Sequence, residues 1–252
     1  MVAMTFDRLA LKIHADRSAS GRAAGTAAAA AIRDSLAQKG TARVIFAAAP
    51  SQNETLETLA DAPGIRWQNV AAFHMDEYIG LDAGAPQRFS KFLDARLFEK
   101  LPFGAVNRIS CAPGEDPREV CAAYARLLAA APIDVVCLGI GENGHFAFND
   151  PPADFNDPLR VKVVTLDEAC RQQQVNDGCF PDLGAVPRQA VTLTVPALLS
   201  AGCLICTVPG PRKHGAVQRT LRGEISGDCP ASVLRTHPNA AMFVDRACWE
   251  GR

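Results

Sequence analysis

The sequence predicts an α/β fold of three layers, in which helices cover both faces of a mostly parallel sheet. Short apolar runs rich in β-branched residues alternate along the chain with longer segments of helical periodicity. The 252 residues can bury a large core, and no internal repeat or low-complexity linker interrupts them. We therefore expect a single domain over residues 1–252.

The helices are predicted from periodicity and from residues that begin or end a helix. Ser20–Lys39 is rich in alanine and amphipathic, and Gly40 ends it. Ser51 can cap a further helix, because Glu54 follows three residues later as in a capping box. The remaining helices are predicted over Arg88–Lys100, over Pro117–Ala130, from Asp167 onwards, and over Pro211–Leu221 after a Pro-Gly-Pro turn.

The predicted strands are short, apolar and separated by these helices. They cover Arg43–Ala48, Val70–Phe73, Ile133–Leu138, Val161–Thr165, Ala190–Val195, Leu204–Val208 and Ala240–Val244. This order indicates a Rossmann-like arrangement. Residues 151–187 are the least regular part of the chain and form a candidate lid over one edge of the sheet.

Composition excludes several classes of partner. The formal net charge is -1 and basic residues do not cluster, which argues against nucleic acid and anionic membranes as partners. No apolar run approaches the ~20 residues that span a bilayer, and residues 1–17 lack the apolar core of a signal peptide. We therefore expect a cytoplasmic protein, and a homo-oligomer is compatible with the sequence.

The nine cysteines show no metal-type pairing and are expected to be free thiols in a reducing compartment. Cys203 and Cys206 have the spacing of a redox pair. However, they lie in a predicted strand, where residues three apart point to opposite faces. A redox pair is therefore not expected here.

The most informative stretch is residues 137–152, where a buried strand ends in glycines followed by polar residues. His145, Asn143, Glu142 and Asp150 follow the strand, and two prolines end the segment. The carboxyl edge of an open α/β sheet is where small ligands bind. His145 is thus a candidate acid/base, with Asn143 and Asp150 fixing its tautomer, or it simply hydrogen-bonds the turn.

A second polar cluster, residues 74–81, follows the strand Val70–Phe73 and also lies at a carboxyl edge. Asp76 is either a carboxylate base held in a cleft or a helix-capping residue beside a solvated Glu77. If the two strands are neighbours, Asp76 and His145 share one crevice. His74, Asp76 and His145 lack the spacing of a known metal motif, so no metal is predicted.

Together these clusters resemble the glucosamine-6-phosphate deaminase/isomerase family, relatives of the 6-phosphogluconolactonases. The two specific motifs are MDEYIGL at residues 75–81 and GENGHFAFNDP at residues 141–151. Weaker matches are AVTLTV at residues 190–195, the helix start at Lys213, and SVLRTHP at residues 232–238. These matches follow the family's order and span most of the chain.

The resemblance implies roles for these residues. His145 would open the sugar ring, and Asp76 would carry a proton between C2 and C1 of the open aminosugar. Asp150 falls where the family has a glutamate that orients the imidazole, and Asn143 falls where members carry Asp or Asn. Further contacts to the substrate are expected from Glu77, Gly141 and Gly144.

The phosphate site departs from the family's pattern. The glycine turn that cradles the 6-phosphate is replaced by Pro50–Thr55, in which Ser51, Gln52 and Asn53 are the candidate contacts and Glu54 adds a negative charge. Asn176 is aligned with a lid arginine of the family. Lys213 matches a phosphate contact, unless it is a plain surface lysine, and Arg171 and Arg212 are candidates to replace the missing arginine.

The resemblance therefore implies isomerisation and deamination of an amino-hexose phosphate, glucosamine 6-phosphate in the first place, without an organic cofactor. The rival functions are hydrolysis of a sugar lactone and non-catalytic sensing of a sugar phosphate. The residues Asp76, Glu77 and Tyr78 favour the deaminase. No basic extension that would support a DNA-binding sensor precedes the domain.

Overall fold

A computed structural model describes residues 2–252 and contains two sheets. The larger has eight strands in the order β1-β2-β11-β10-β7-β3-β4-β6, and every pairing except β1 with β2 is parallel. Its strands are β1 (Val2–Phe6), β2 (Leu9–His14), β3 (Ala42–Phe46), β4 (Val70–His74), β6 (Ala105–Asn107), β7 (Val135–Leu138), β10 (Cys203–Val208) and β11 (Ala240–Asp245). The predicted parallel sheet is confirmed.

Helices cover both faces of this sheet, as predicted. They are α1 (Arg17–Lys39), α2 (Asn53–Ala60), α3 (Phe89–Leu93), α4 (Pro117–Ala129), α5 (Glu168–Asn176), α6 (Val195–Leu199), α7 (His214–Arg222) and α8 (Arg246–Glu250). Alternate residues of β7 face two separate hydrophobic cores. Val136 and Leu138 pack in one core, and Val135 and Cys137 in the other. The central strand is therefore buried on both faces, which explains its continuous apolar sequence.

A small antiparallel sheet stands beside the large one. It contains β5 (Asp76–Tyr78), β8 (Val161–Thr165) and β9 (Gln189–Leu193) in the order β5-β9-β8. Helix α5 lies in the connection between β8 and β9. The candidate lid, residues 151–187, therefore contains regular structure, and its helix α5 connects two strands that pair with each other.

Helices α1 and α2 approach each other unusually closely. A Cβ atom placed on Gly21 would lie 2.4 Å from Cβ of Glu54, and one on Gly25 would lie 2.6 Å from the carbonyl oxygen of Thr55. Glycine inside a helix costs roughly 0.5–1 kcal/mol relative to alanine. Here it permits backbone contact between the two helices.

Three predicted elements differ from the structure. Ser51 does not cap α2, because it lies in a short 3-10 turn over Pro50–Gln52 and the helix has no side-chain cap. The helix predicted over Arg88–Lys100 is α3 followed by a π-helical turn. The helix predicted from Pro211 begins with a 3-10 turn before α7.

The N-terminal hairpin of β1 and β2 was not predicted, because both strands are short and the segment around them mixes charged with apolar residues. In β2 the side chains of Leu9, Leu11 and Ile13 are buried while the intervening residues are partly exposed, so the alternation is present but brief. The described chain, residues 2–252, includes no helix with both the length and the hydrophobicity required to cross a bilayer.

Candidate functional site

A cavity of about 260 Å³ opens at the carboxyl ends of β3, β4, β7 and β10. Its walls come from the segments that follow these strands, namely residues 47–51, 75–76, 139–141, 145–148 and 209–213. Helix α5 contributes Gln173 and Gln174, and Asp177 follows at its end. Strands β4 and β7 are not neighbours, since β3 lies between them. Asp76 and His145 nevertheless both line this one cavity.

The loop after β7 is folded tightly around its glycines. The N–H of Gly141 donates to the carbonyl oxygen of His145 at 2.8 Å, and the N–H of Gly144 donates to that of Gly141 at 3.0 Å. Gly144 has a φ of +92°, a left-handed conformation that glycine adopts readily. A Cβ atom on Gly141 would lie 2.2 Å from Cε1 of His145. The imidazole thus packs directly on a position that only glycine leaves open.

Two side chains of the same loop hold the imidazole. Nδ1 of His145 lies 2.6 Å from Oδ1 of Asn143 and 3.2 Å from Oδ1 of Asp150, and the amide of Asn143 donates to the same Asp150 oxygen at 3.2 Å. Two acceptors at Nδ1 assign the proton to that atom. Nε2 has no hydrogen bond to any residue of 2–252, so it remains available as an acid or base at the cavity wall.

Asp150 stays charged in this arrangement. Burial by itself would raise the pKa of Asp150, but hydrogen bonds from His145 and Asn143 outweigh burial and hold the pKa below its ordinary value. The carboxylate can therefore stabilise an imidazolium formed at His145. The structure brings together the three residues that the sequence grouped in one loop.

Asp76 faces the same cavity from β5. Asp76 is 7% exposed, and its carboxylate accepts no hydrogen bond from the described residues. Burial, and then repulsion from Glu77, raises the pKa of Asp76 well above the ordinary carboxyl value. A buried, unpaired carboxylate with a raised pKa is suited to accept and return a proton.

His74 supports the main chain at Asp76. Nδ1 of His74 donates to the carbonyl oxygen of Asp76 at 2.9 Å, and Nε2 accepts from the N–H of Ile109 at 2.7 Å. Burial lowers the pKa of this imidazole, which is consistent with its neutral state. Both ring nitrogens are occupied, so His74 has none left to ligate a metal.

Glu77, a predicted substrate contact, points away from the cavity. Its carboxylate accepts from the N–H groups of Tyr78, Phe89 and Ser90, at 3.0–3.1 Å, and lies 3.6 Å from Nε of Arg88. The residue is fully buried. Asp76 and Glu77 are successive residues of a strand, so their side chains lie on opposite faces. Glu77 caps the start of α3.

Four other predicted contacts do not line the cavity. The amide of Gln52 is buried and donates to the carbonyl oxygen of Thr207 at 3.3 Å. Asn53 accepts from Nε of Arg96 at 2.7 Å. Arg171 donates to the carbonyl oxygens of Leu183 and Val186 within the candidate lid. Gly144 shapes the loop and packs against Cys229.

Basic residues also line the cavity. Ser51 and Lys213 line it, as predicted, and Arg17 joins them from the first turn of α1. Nε of Arg17 lies 2.6 Å from Oε1 of Glu54 and so neutralises the charge that the sequence placed near a phosphate. Arg17 was missed, because nothing local in the sequence relates α1 to this loop.

Arg212, another residue of the cavity wall, pairs with two acids. It lies 3.1 Å from Oδ1 of Asp177 and 3.6 Å from Oε1 of Glu142. Lys213 forms no ion pair within 4 Å in the described chain, and burial lowers its pKa against the opposing effect of Asp177 and Glu142. Lys213 is thus the cation in this group that remains uncommitted to a carboxylate.

The lid residues at the cavity also differ from those expected. Asn176 does not line it and instead accepts from the amide of Gln172 at 3.1 Å. Gln173, Gln174 and Asp177 line it. Residues three and four apart share one face of a helix, so the predicted helix from Asp167 places these three residues together, but the side that faces the cavity depends on tertiary packing.

Comparisons with known proteins agree on one family. Residues 15–243 match the family model of glucosamine-6-phosphate isomerases/6-phosphogluconolactonase. A glucosamine-6-phosphate deaminase of Staphylococcus epidermidis is 38% identical over 179 residues, which are 70% of this chain and 72% of that protein. One of Shewanella loihica is 32% identical over 190 residues, covering 74% and 69%.

Solved structures give the same picture. A monomeric glucosamine-6-phosphate deaminase superposes with a TM-score of 0.86 at 27% identity, covering 96% of this chain and 99% of the other. A 6-phosphogluconolactonase of Trypanosoma brucei has a TM-score of 0.79 at 19% identity, covering 98% and 99%, which shows a shared fold.

Proposed function

This chain belongs to the family of glucosamine-6-phosphate isomerases and 6-phosphogluconolactonases, and we propose that it converts glucosamine 6-phosphate to fructose 6-phosphate and ammonia. The observation that carries the proposal is the pair Asp76 and His145, which line one cavity from strands on either side of β3. One residue is an unpaired carboxylate and the other an imidazole with a free Nε2. Deamination with isomerisation needs both.

The first step is opening of the pyranose ring. Nε2 of His145 moves the proton of the C1 hydroxyl to the ring oxygen, so that the C1–O5 bond breaks and an aldehyde forms. Asn143 and Asp150 keep the other ring nitrogen protonated, and Asp150 stabilises the imidazolium between the two transfers. No other residue needs to change its protonation state in this step.

The second step is proton transfer between adjacent carbons. Asp76 takes the proton from C2 while the C1 oxygen takes a proton from the ammonium group of the substrate, which gives an enolamine. Asp76 then returns its proton to C1. The product is an iminium at C2; water adds there and ammonia leaves, so C2 becomes the ketone of fructose 6-phosphate. One carboxylate can serve both carbons because C1 and C2 of the planar enolamine present the same face to it. Because its pKa is raised, Asp76 is a stronger base than an ordinary carboxylate, which favours removal of the C2 proton.

The direct test measures two reactions in parallel. Ammonia release is followed with glucosamine 6-phosphate, and hydrolysis is followed with 6-phosphogluconolactone. We expect ammonia release and no lactone cleavage. The lactonase reaction needs no C2 proton transfer and would leave the unpaired carboxylate of Asp76 without a role. Lactone cleavage without ammonia would reject the proposal in favour of the hydrolase, and tight binding of the aminosugar phosphate without turnover would favour a sensor.

We infer that the phosphate of the substrate lies beside Ser51 and Lys213, which both line the cavity. The N–H groups at the start of a helix attract anions, although Pro50 removes one such donor here. Arg17 holds Glu54, and Arg212 is held by acids, so Lys213 is the cation most available to a phosphate.

Lys213→Ala is accordingly expected to raise the KM for glucosamine 6-phosphate by about 10–100-fold, the usual effect of losing a hydrogen bond to a charged group. The kcat/KM for unphosphorylated glucosamine should change little. Steady-state kinetics with both sugars measure the difference, and Lys100→Ala, an exposed lysine, is the matched control. Equal losses for both sugars would mean that Lys213 does not bind the phosphate.

A further inference from the structure

A cysteine that the proposed reaction does not use lies beside the catalytic imidazole. One donor atom each from His145, Asp150 and Cys170 lies within 4.8 Å of the others. Cys170 stands in the first turn of α5, where its N–H donates to Oδ1 of Asp167, and it is 1% exposed. The helix start therefore fixes the backbone of Cys170, and its thiol lies close to Asp150.

The donor set of this cluster is typical of one class of ligand. Imidazole nitrogen, carboxylate oxygen and thiolate sulfur together are ligands that Zn²⁺ binds, whereas Mg²⁺ and Ca²⁺ take oxygen ligands. A tetrahedral zinc places its donor atoms about 3.3–3.8 Å apart. Nδ1 of His145 and Oδ1 of Asp150 are already 3.2 Å apart. All three donor atoms lie within 4.8 Å of one another, so a modest inward movement of the sulfur would bring the set to this spacing.

We propose that His145, Asp150 and Cys170 form an inhibitory site for a borderline divalent cation, best matched by Zn²⁺. Asn143, whose Oδ1 lies beside Nδ1 of His145, or a water molecule completes the tetrahedron. Because only three strong protein ligands are present, the site is less closed than a structural zinc site with four.

Inhibition follows from the position of the imidazole proton. Metal binding at Nδ1 displaces the proton from that atom, and the neutral ring then carries its proton on Nε2. The thiol proton is released to solvent as the metal–sulfur bond forms. With Nε2 protonated and Nδ1 on the metal, the ring can no longer accept the hydroxyl proton that ring opening requires. The metal therefore stops the proposed reaction without occupying the sugar site.

Cobalt(II) tests the site independently of activity, because it takes the place of zinc and its bond to thiolate gives a charge-transfer band in the near ultraviolet. The protein is treated with a chelator and then titrated with Co²⁺. We expect a band that saturates at one equivalent in the unchanged protein and disappears in Cys170→Ser. Cys179→Ser, a partly exposed cysteine outside the cluster, should keep the band.

Zn²⁺ inhibition supplies the second measurement, with each variant compared with its own rate without metal. We expect Cys170→Ser to need at least about 10-fold more Zn²⁺ for half-inhibition, since altered metal sites typically lose 10–100-fold in affinity. Cys170→Ala replaces it if the serine variant does not fold. A band of undiminished intensity in either Cys170 variant, or none in the unchanged protein, would overturn the proposal. Because the cobalt titration needs no substrate, its result stands whether or not the chain is a deaminase.

Discussion

Asp76→Asn should release ammonia from glucosamine 6-phosphate at least ~10²-fold more slowly than the unchanged protein, because it removes the group that carries the proton between C2 and C1. The same change should raise thermal stability. The carboxylate of Asp76 is buried without a hydrogen-bond donor and is repelled by Glu77. An amide of the same shape has no charge to bury.

The sign of the pH dependence follows from the raised pKa of Asp76. The folded protein holds this proton more tightly than the unfolded chain does. The contribution of Asp76 to stability is therefore most favourable below the ordinary carboxyl pKa, and it falls as the pH rises from that value to the raised pKa. The variant lacks this loss, so its advantage in melting temperature should grow with pH over the same interval. Over that range kcat/KM of the wild type should rise, as the basic form of Asp76 appears.

Melting curves and ammonia assays at several pH values measure both effects. Asp82→Asn, an exposed aspartate in the following loop, is the matched control and should change neither quantity. Near-normal turnover in Asp76→Asn would remove this residue from the mechanism, whatever the change in stability.

Glu77→Ala, one residue further along, should do the opposite and destabilise the fold by about 3–5 kcal/mol. Its carboxylate is fully buried, accepts backbone N–H groups at the start of α3 and faces the 4% exposed Arg88. Removing it leaves a buried guanidinium without its counter-charge. Glu77→Gln keeps the shape and some of the hydrogen bonds, so its loss should be smaller.

Denaturant titration measures this loss of unfolding free energy. Glu115→Ala is the matched control, because Glu115 also accepts a backbone N–H, from Ala112, but is exposed to water. Its loss should be much smaller, since water replaces the carboxylate. A loss in Glu77→Ala no larger than that of the control would contradict the buried role assigned here.

The parts of the site that lie close together in sequence were predictable. A buried strand that ends in glycines placed His145, Asn143 and Asp150 in one loop at the ligand-binding edge, and the structure confirms that grouping. The relation of Asp76 to this loop was not predictable from the residues alone. It depends on the position of β3 between β4 and β7, which is a matter of sheet order rather than of local pattern.

Side-chain direction was the second difficulty. The run Asp76–Tyr78 was not predicted as a strand, so nothing separated the face of Asp76 from that of Glu77. Similarly, Arg17 enters the cavity through the packing of α1, more than thirty residues before the loop that it contacts. Only tertiary structure brings these groups together.

Gly21 and Gly25 influence the charge at the cavity indirectly, through the position of Arg17. Bare backbone at these two positions lets α1 settle against α2, and Arg17 and Glu54 are neighbours only because it does. A methyl group on either glycine would push α1 and α2 apart. The guanidinium of Arg17 would then leave the cavity, and the carboxylate of Glu54 would face the phosphate of a substrate without its counter-charge. The electrostatic potential that a substrate encounters thus depends in part on two residues that have no side chain.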